Sequence, residues 1–336
     1  MNIAVIGAGA IGSIVAAYLF KAGEKVTLIG REDQTKIIAA NGLHINGVRG
    51  NETITLPVES KLMQPCDLII FAVKTQDMED AYEHNHEFLE EGLVLTTQNG
   101  VQADNILSSH FDRERMLCSI VMFGATYTTP GEVTFNFKGD WIIGRPFLPV
   151  DPVVHQVADV LKKAFPVVVS ENIMGMKWLK LFVNFNNCLP ALTGLSMQET
   201  FADMELCRLS ILLLKEGVGI VQKAGIALVS LPQFPVERIV GLVGMPLDQA
   251  AGIINRTLTS LSKEPLYGSV LQSILRQRPS EIDFINGEVV HLAKQIRMPS
   301  PFNDRVVDMV HFVESEKKFF TPEEIREIFY PLTQAL

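Results

Sequence analysis

Residues 1–12 read MNIAVIGAGAIG, and this stretch decides the fold. An apolar run, Ile3 to Ile6, leads without a break into Gly7-Ala-Gly9-Ala-Ile-Gly12, and a helix-compatible stretch follows from Ser13 to Lys21. A strand, a turn with this glycine spacing and a helix form the dinucleotide-binding fingerprint in its proper context. Gly7 serves the tight turn, Gly9 lets backbone approach a pyrophosphate, and Gly12 lets the helix pack close to the strand. Ala10, Ile11 and Gly12 then offer their N–H groups, and the positive end of the helix, to the phosphates. Ile3 to Phe20 holds no charged residue and is nearly long enough to span a bilayer. Three glycines interrupt it and no basic segment precedes it, so it reads instead as a buried strand and its covering helix.

The chain has 336 residues, enough for two domains with sizeable cores. It is 47% hydrophobic and 20% charged, the balance of a globular protein. A net charge of −9 argues against nucleic-acid and anionic-membrane partners. Cys66, Cys118, Cys188 and Cys207 form no CxxC pair. Without a signal peptide they are expected to be reduced thiols in a cytoplasmic protein. His84 and His86 form an HxH in a polar stretch with no third ligand near them, so no metal site is expected.

The first half alternates strands and helices. Lys25 to Ile29, Asp67 to Val73 and Leu93 to Thr97 read as further strands, and Met116 to Ala125, Glu132 to Phe135 and Trp141 to Gly144 as short β-like runs. Alternation of this kind implies a parallel, doubly wound Rossmann-type sheet. Beyond about residue 170, periodic apolar stretches take over: Met176 to Leu195, Met204 to Ala224, Leu247 to Leu261, Glu281 to Arg297 and Asp304 to Glu316. Thr321-Pro322-Glu-Glu324 carries helix-start signals. The expected fold is α/β, with a nucleotide-binding domain over 1–168 and an all-helical domain over 169–336. The helices are compatible with packing within one chain or against a second copy as a homodimer.

An NAD-preferring fold places an acid at the end of the second strand. Here that strand ends Leu28-Ile29-Gly30-Arg31. A guanidinium suits a 2′-phosphate, which favours NADP over NAD. Glu32 and Asp33 follow at once and argue the other way.

Lys177-Trp178-Leu-Lys180-Leu-Phe-Val-Asn184-Phe-Asn-Asn187 places Lys180, Asn184 and Asn187 at i, i+4 and i+7, on one face of a helix. A cation and two amides flanked by Trp178, Leu181 and Phe185 can be a solvated stripe or a site. Lys177, one turn before Lys180, is the rival lysine.

Here the sequence resembles the ketopantoate reductases (2-dehydropantoate 2-reductases), NADPH-dependent enzymes that reduce a 2-oxo acid. The resemblance runs in order through the Gly7-x-Gly9-x-x-Gly12 turn, Arg31, Lys74 in FAVK, Asn99-Gly100, and the WxKLxxN segment with Lys180 and Asn184. It continues through Ser269-x-Leu271-Gln272 and Glu281-Ile-Asp283-Phe-Ile-Asn286-Gly287. It implies NADPH as cofactor and Lys180 as the general acid on the ketone oxygen. It implies that Glu281 positions substrate and lysine, and that Asn99 and Asn184 hold lysine, nicotinamide or substrate hydroxyl. Ser269 resembles a contact to the substrate carboxylate, and Lys74 a cofactor-side cation. Read without the resemblance, Glu281 is equally a helix N-terminal acid after Pro279-Ser280.

Three positions depart from the family pattern. The Asn-Pro usual eight residues after the lysine is Cys188 here, with Asn187 before it as the candidate substitute. Gln198 stands where a substrate-side Asn is usual, and Ser273 where Asp is common. The segment 230–263 is longer than in typical members. These departures bear on the substrate rather than on carbonyl reduction. The competing readings are a related dehydrogenase of another oxo or hydroxy acid and a non-catalytic NADP-binding sensor.

Overall fold

A computed structural model of the chain describes residues 1–262 and 264–334. Lys263, which ends the long 230–263 segment, and the last two residues of the chain lie outside the described residues. Internal contacts divide the chain into two units, Met1–Met174 and Gly175–Leu336.

The first unit is built on an eight-stranded sheet. Its strands are β1 (Asn2–Ile6), β2 (Lys25–Ile29), β5 (Val58–Glu59), β6 (Leu68–Phe71), β7 (Leu93–Thr96), β8 (Met116–Val121), β11 (Trp141–Gly144) and β12 (Val167–Val169). A second sheet comprises β3 (Leu43–Gly47), β4 (Glu52–Ile54), β9 (Gly124–Thr129) and β10 (Glu132–Phe137). The large sheet is ordered β12-β11-β8-β7-β6-β1-β2-β5. Its pairs are parallel except β8 with β11, so the sheet is mixed rather than purely parallel. β1 is flanked by β2 on one side and β6 on the other. The chain therefore reverses its direction of travel across the sheet at β1, and the crevice at a strand's carboxyl end opens at such a switch point.

Helices α1 (Ala10–Lys21), α2 (Glu32–Asn41), α3 (Met78–Asn85), α4 (Gln102–Leu107) and α5 (Pro152–Leu161) complete this unit. The uncharged run after Gly12 has a packing reason. α1 touches β1 and β2 of the large sheet and also β3, β9 and β10 of the small one. Every residue from Gly12 to Leu19 is buried, with Ile14, Val15 and Leu19 fully so. Burial of each of these three contributes about 1.5–3 kcal/mol. No helix among the described residues is long and apolar enough to cross a membrane.

The second unit contains most of α6 (Ile173–Asn184) and then α7 (Cys188–Thr193), α8 (Met197–Thr200), α9 (Met204–Lys223), α10 (Glu237–Gly244), α11 (Leu247–Thr259), α12 (Ser269–Leu275), α13 (Asn286–Gln295), α14 (Pro301–Glu316) and α15 (Pro322–Gln334). α9 is the hub, packing against α10, α11, α13, α14 and α15. Glu216 on α9 accepts hydrogen bonds from the Phe302 and Asn303 N–H groups at 3.0 and 2.8 Å, so it caps the start of α14.

Two expected helices are shorter than their apolar periodicity suggests. The stretch 176–195 breaks into α6, a 3₁₀ turn at Phe185–Asn187, and α7. Pro190 accounts for the break: a proline lacks the N–H for the i−4 bond and its ring collides with that carbonyl, here Asn186. Ile282–Phe284 form a 3₁₀ turn flanked by Glu281 and by Ile285 at φ −119°, ψ −89°, and α13 starts only at Asn286.

Candidate functional site

The cofactor-side candidates lie at the carboxyl ends of β1, β2, β6 and β7. Gly7 has φ +121°, and a Cβ there would come within 2.7 Å of Ala72 C. A Cβ on Gly12 would lie 2.0 Å from the Gly7 carbonyl oxygen, so helix and turn touch through backbone. Gly9 differs: a Cβ there would meet nothing within 4 Å. It is the N-cap of α1 and, having no side chain, leaves the helix end uncapped. The first N–H groups of a helix lack intrahelical acceptors. An open ledge over uncapped N–H groups at Ala10, Ile11 and Gly12 fits a pyrophosphate.

Arg31 follows β2 in extended backbone, with its side chain 66% exposed and its guanidinium 3.6 Å from Asp33. Lys74 is half-buried just past β6, where it begins a 3₁₀ turn over Thr75–Asp77. Asn99 is exposed just past β7. Its neighbour Gln98 explains that placement. The Gln98 amide donates to the Phe71 and Val73 carbonyls at 2.9 and 2.7 Å and accepts from Thr97 N–H, tying the ends of β6 and β7 together. Sequence reasoning passed over Gln98, because a buried glutamine at a strand end looks like any polar strand terminator.

The substrate-side candidates lie on the helical elements. Lys180 is half-buried on α6 between the buried Leu179 and Leu181. Desolvation holds its ammonium below the usual lysine range. Lys177, the rival, is more deeply buried, only 2% exposed. Asn184 is the last residue of α6, and Asn187 falls in the 3₁₀ turn rather than on the same continuous helix. That turn brings Asn187 to Ser269 at the start of α12, with Asn187 Nδ2 donating to Ser269 Oγ at 3.4 Å. Gly268 permits the approach, since a Cβ there would sit 2.7 Å from Asn187 Oδ1.

Glu281 is half-buried and opens the 3₁₀ turn at Ile282–Phe284. His311 on α14 braces this turn. It pairs with Asp283 at 2.9 Å and with Glu314 at 3.1 Å, and Glu314 in turn accepts from Ser280 N–H at 2.7 Å. Partial burial opposes the imidazolium, but the Asp283 and Glu314 carboxylates outweigh it, so the His311 pKa is raised. A raised folded-state pKa stabilises below the unfolded value of about 6.5, and the contribution is lost as pH rises through the folded value. His311→Gln is therefore expected to lower Tm at pH 6 and to match the parent at pH 9 in a calorimetric pH series. An equal deficit at both pH values would show that charge on His311 is irrelevant.

A family model described as ketopantoate reductase PanE/ApbA matches residues 3–146, and its C-terminal counterpart matches residues 172–314. The chain belongs to the ketopantoate reductase family. Among its relatives, the 2-dehydropantoate 2-reductase of Pyrococcus abyssi is 30% identical over 90% of this chain and 94% of its own length. That of Pyrococcus horikoshii is 29% identical over 94% and 98%. Members of the family are oxidoreductases acting on a CH–OH group. The structure of a PanE/ApbA family ketopantoate reductase from Ralstonia eutropha superposes with a TM-score of 0.81 at 26% identity, covering 94% of this chain and 99% of that one. D-mandelate dehydrogenase with NADH and anilino(oxo)acetate shares the fold at a TM-score of 0.79 and 22% identity, covering 94% and 99%.

The positions at which this ketopantoate reductase family member departs from the pattern have structural roles. Cys188 is fully buried, and burial pushes its thiol up to about 12. Its Sγ donates to the Phe185 carbonyl, which makes it a core residue of α7. Gln198 has both ends of its amide committed to backbone. It donates to the Ser262 and Glu264 carbonyls at 3.1 and 2.8 Å and accepts from Leu266 N–H at 3.0 Å. Ser273 donates to the Ser269 carbonyl at 3.2 Å within α12.

Proposed function

We propose that this chain reduces a small 2-oxo acid with NADPH, with 2-dehydropantoate to pantoate as the reaction. The observation that carries this reading is Lys180, an ammonium desolvated on an apolar helix one turn from Asn184. The Gly7–Gly12 turn would hold the pyrophosphate of NADPH, which would supply the hydride that the ketone carbon takes up. Negative charge then builds on the ketone oxygen. The Lys180 ammonium stabilises that charge by a hydrogen bond and passes its proton to the oxygen, which completes the hydroxyl. Desolvation makes the proton easier to give up near neutral pH.

Glu281 positions lysine and substrate, and Asn99 and Asn184 hold the lysine, the nicotinamide amide or the substrate hydroxyl. Because Asn187 donates to Ser269 Oγ, the serine keeps its own proton for the substrate carboxylate. Arg31 would hold the 2′-phosphate, and Lys74 would add positive charge beside the cofactor. The four cysteines are buried thiols, which suits a reduced, cytoplasmic protein, and the proposed reaction belongs to pantothenate biosynthesis.

The engagement of Gln198 by backbone favours a second reading, in which the chemistry is the same and the 2-oxo acid differs. D-mandelate dehydrogenase, on the same fold, is named for a 2-hydroxy acid whose 2-oxo counterpart is phenylglyoxylate. NADPH oxidation measured at 340 nm against 2-dehydropantoate, phenylglyoxylate, 2-oxoisovalerate, 2-oxobutyrate, pyruvate and oxaloacetate tests both. The highest kcat/KM is expected with 2-dehydropantoate. Preference for another acid moves the substrate, and no turnover of any acid overturns the reductase assignment.

A further inference from the structure

Gln34 lies in the first turn of α2 and is 7% exposed. Its side chain joins three separate parts of the first unit. Oε1 accepts from Arg31 N–H at 3.2 Å. Nε2 donates to the Ala8 carbonyl at 3.3 Å and to the Tyr127 hydroxyl oxygen at 2.8 Å. The roles of two partners are fixed, one a backbone N–H and the other a backbone carbonyl, so the amide can face only one way. Tyr127 must therefore accept from Gln34.

The bond from Arg31 N–H is the arm by which a glutamine at the third helical position caps its own helix, but the other two partners lie outside α2. Ala8 stands between Gly7 and Gly9 in the turn that suits a pyrophosphate. Arg31 is the residue suited to a 2′-phosphate. The two loops already abut, since a Cβ on Gly30 would lie 2.6 Å from Ala8 Cβ. Tyr127 belongs to β9, so the small sheet holds the brace from a third side. The Arg31 guanidinium is exposed and, among the described residues, pairs with Asp33 across a loose 3.6 Å, so its aim depends on where its backbone is held.

We propose that Gln34, seated by Tyr127, is a specificity-determining positioning residue that fixes the Arg31 loop against the phosphate turn and so sets the preference for NADPH over NADH. This rests on the NADPH reading given above. Gln34 reaches the shared pyrophosphate through Ala8 and the 2′-phosphate through Arg31. Losing it weakens NADPH more than NADH. A residue that only capped α2 would lower stability and weaken both cofactors alike.

The experiment measures Kd for NADPH and NADH by fluorescence titration of the whole chain. The variants are Gln34→Leu, Tyr127→Phe, Arg31→Ala and the double variant Arg31→Ala with Gln34→Leu. Gln34→Leu is expected to lower the NADPH-over-NADH ratio about tenfold, and Tyr127→Phe about threefold in the same direction. With Arg31 already replaced, Gln34→Leu is expected to leave the ratio unchanged, because coupled neighbours are not additive. Tyr127→Phe removes one oxygen and gives the same readout if Gln34→Leu does not fold. A ratio lowered by Arg31→Ala but unmoved by Gln34→Leu and Tyr127→Phe overturns the positioning role. A ratio unmoved by Arg31→Ala overturns both that role and the NADPH reading.

Discussion

In a Lys180→Ala variant kcat is expected to fall by about 10³-fold, with the Kd for NADPH within about twofold of the parent. In the proposed mechanism the alanine removes both the charge that meets the developing alkoxide and the proton that completes the hydroxyl. It removes nothing from the glycine turn. Because burial depresses the Lys180 pKa, the pH profile carries the same information. The acid form exists below the folded pKa, so the parent kcat falls as pH rises through it, sooner than an ordinary lysine near 10.4 allows. Stability runs the opposite way. The unfolded chain protonates this lysine more readily than the folded one, so the desolvated ammonium costs stability at neutral pH, and that cost is relieved as pH rises through the folded value. Lys180→Met is therefore expected to match or exceed the parent Tm at pH 7 while losing turnover. Stability given up for function is common where a charge is held out of water. A Lys180→Ala enzyme with near-parental kcat, measured by NADPH oxidation, rules out the general-acid role.

Gly9→Ala separates ligand contact from folding. Since an added Cβ meets nothing of the protein within 4 Å and Gly9 has an ordinary φ of −87°, Tm is expected to stay within about 2 °C. The methyl group would occupy the ledge over the uncapped start of α1. A steric cost of about 2 kcal/mol there corresponds to about a 30-fold weaker Kd for NADPH and for NADH alike. The same change at Gly12 tells less, because its Cβ would strike the Gly7 carbonyl and disturb the fold itself. Unchanged cofactor affinity in Gly9→Ala, measured by titration, would place the pyrophosphate elsewhere.

The strand, turn and helix of residues 2–21 were legible because each uses a local signal: an apolar run, spaced glycines and an uncharged covering helix. The small sheet was not. Its β3 strand, LHING, alternates weakly, and its parallel partner β10 lies far along the chain, so only the fold reveals the pairing. Among the site candidates, Lys180 and Asn184 sit on one helix as their spacing implied. Asn187 does not, and Pro190 was the available signal that the helix had to break before it. Gln98, Gln34 and His311 were passed over because their importance lies in what they tie together. A glutamine that joins two loops looks in sequence like any glutamine. Cys188 and Gln198 looked like altered substrate contacts, but the side chains serve packing and backbone bracing.

The central claim is hydride transfer from NADPH to the ketone carbon of a 2-oxo acid. The most direct measurement incubates the enzyme with 2-dehydropantoate and NADPH carrying deuterium at C4, each epimer in turn, and analyses the product by mass spectrometry. One epimer is expected to give pantoate with a single deuterium on the hydroxyl-bearing carbon, and the other to give unlabelled pantoate. Absence of pantoate, or pantoate without label from both epimers, would contradict the account.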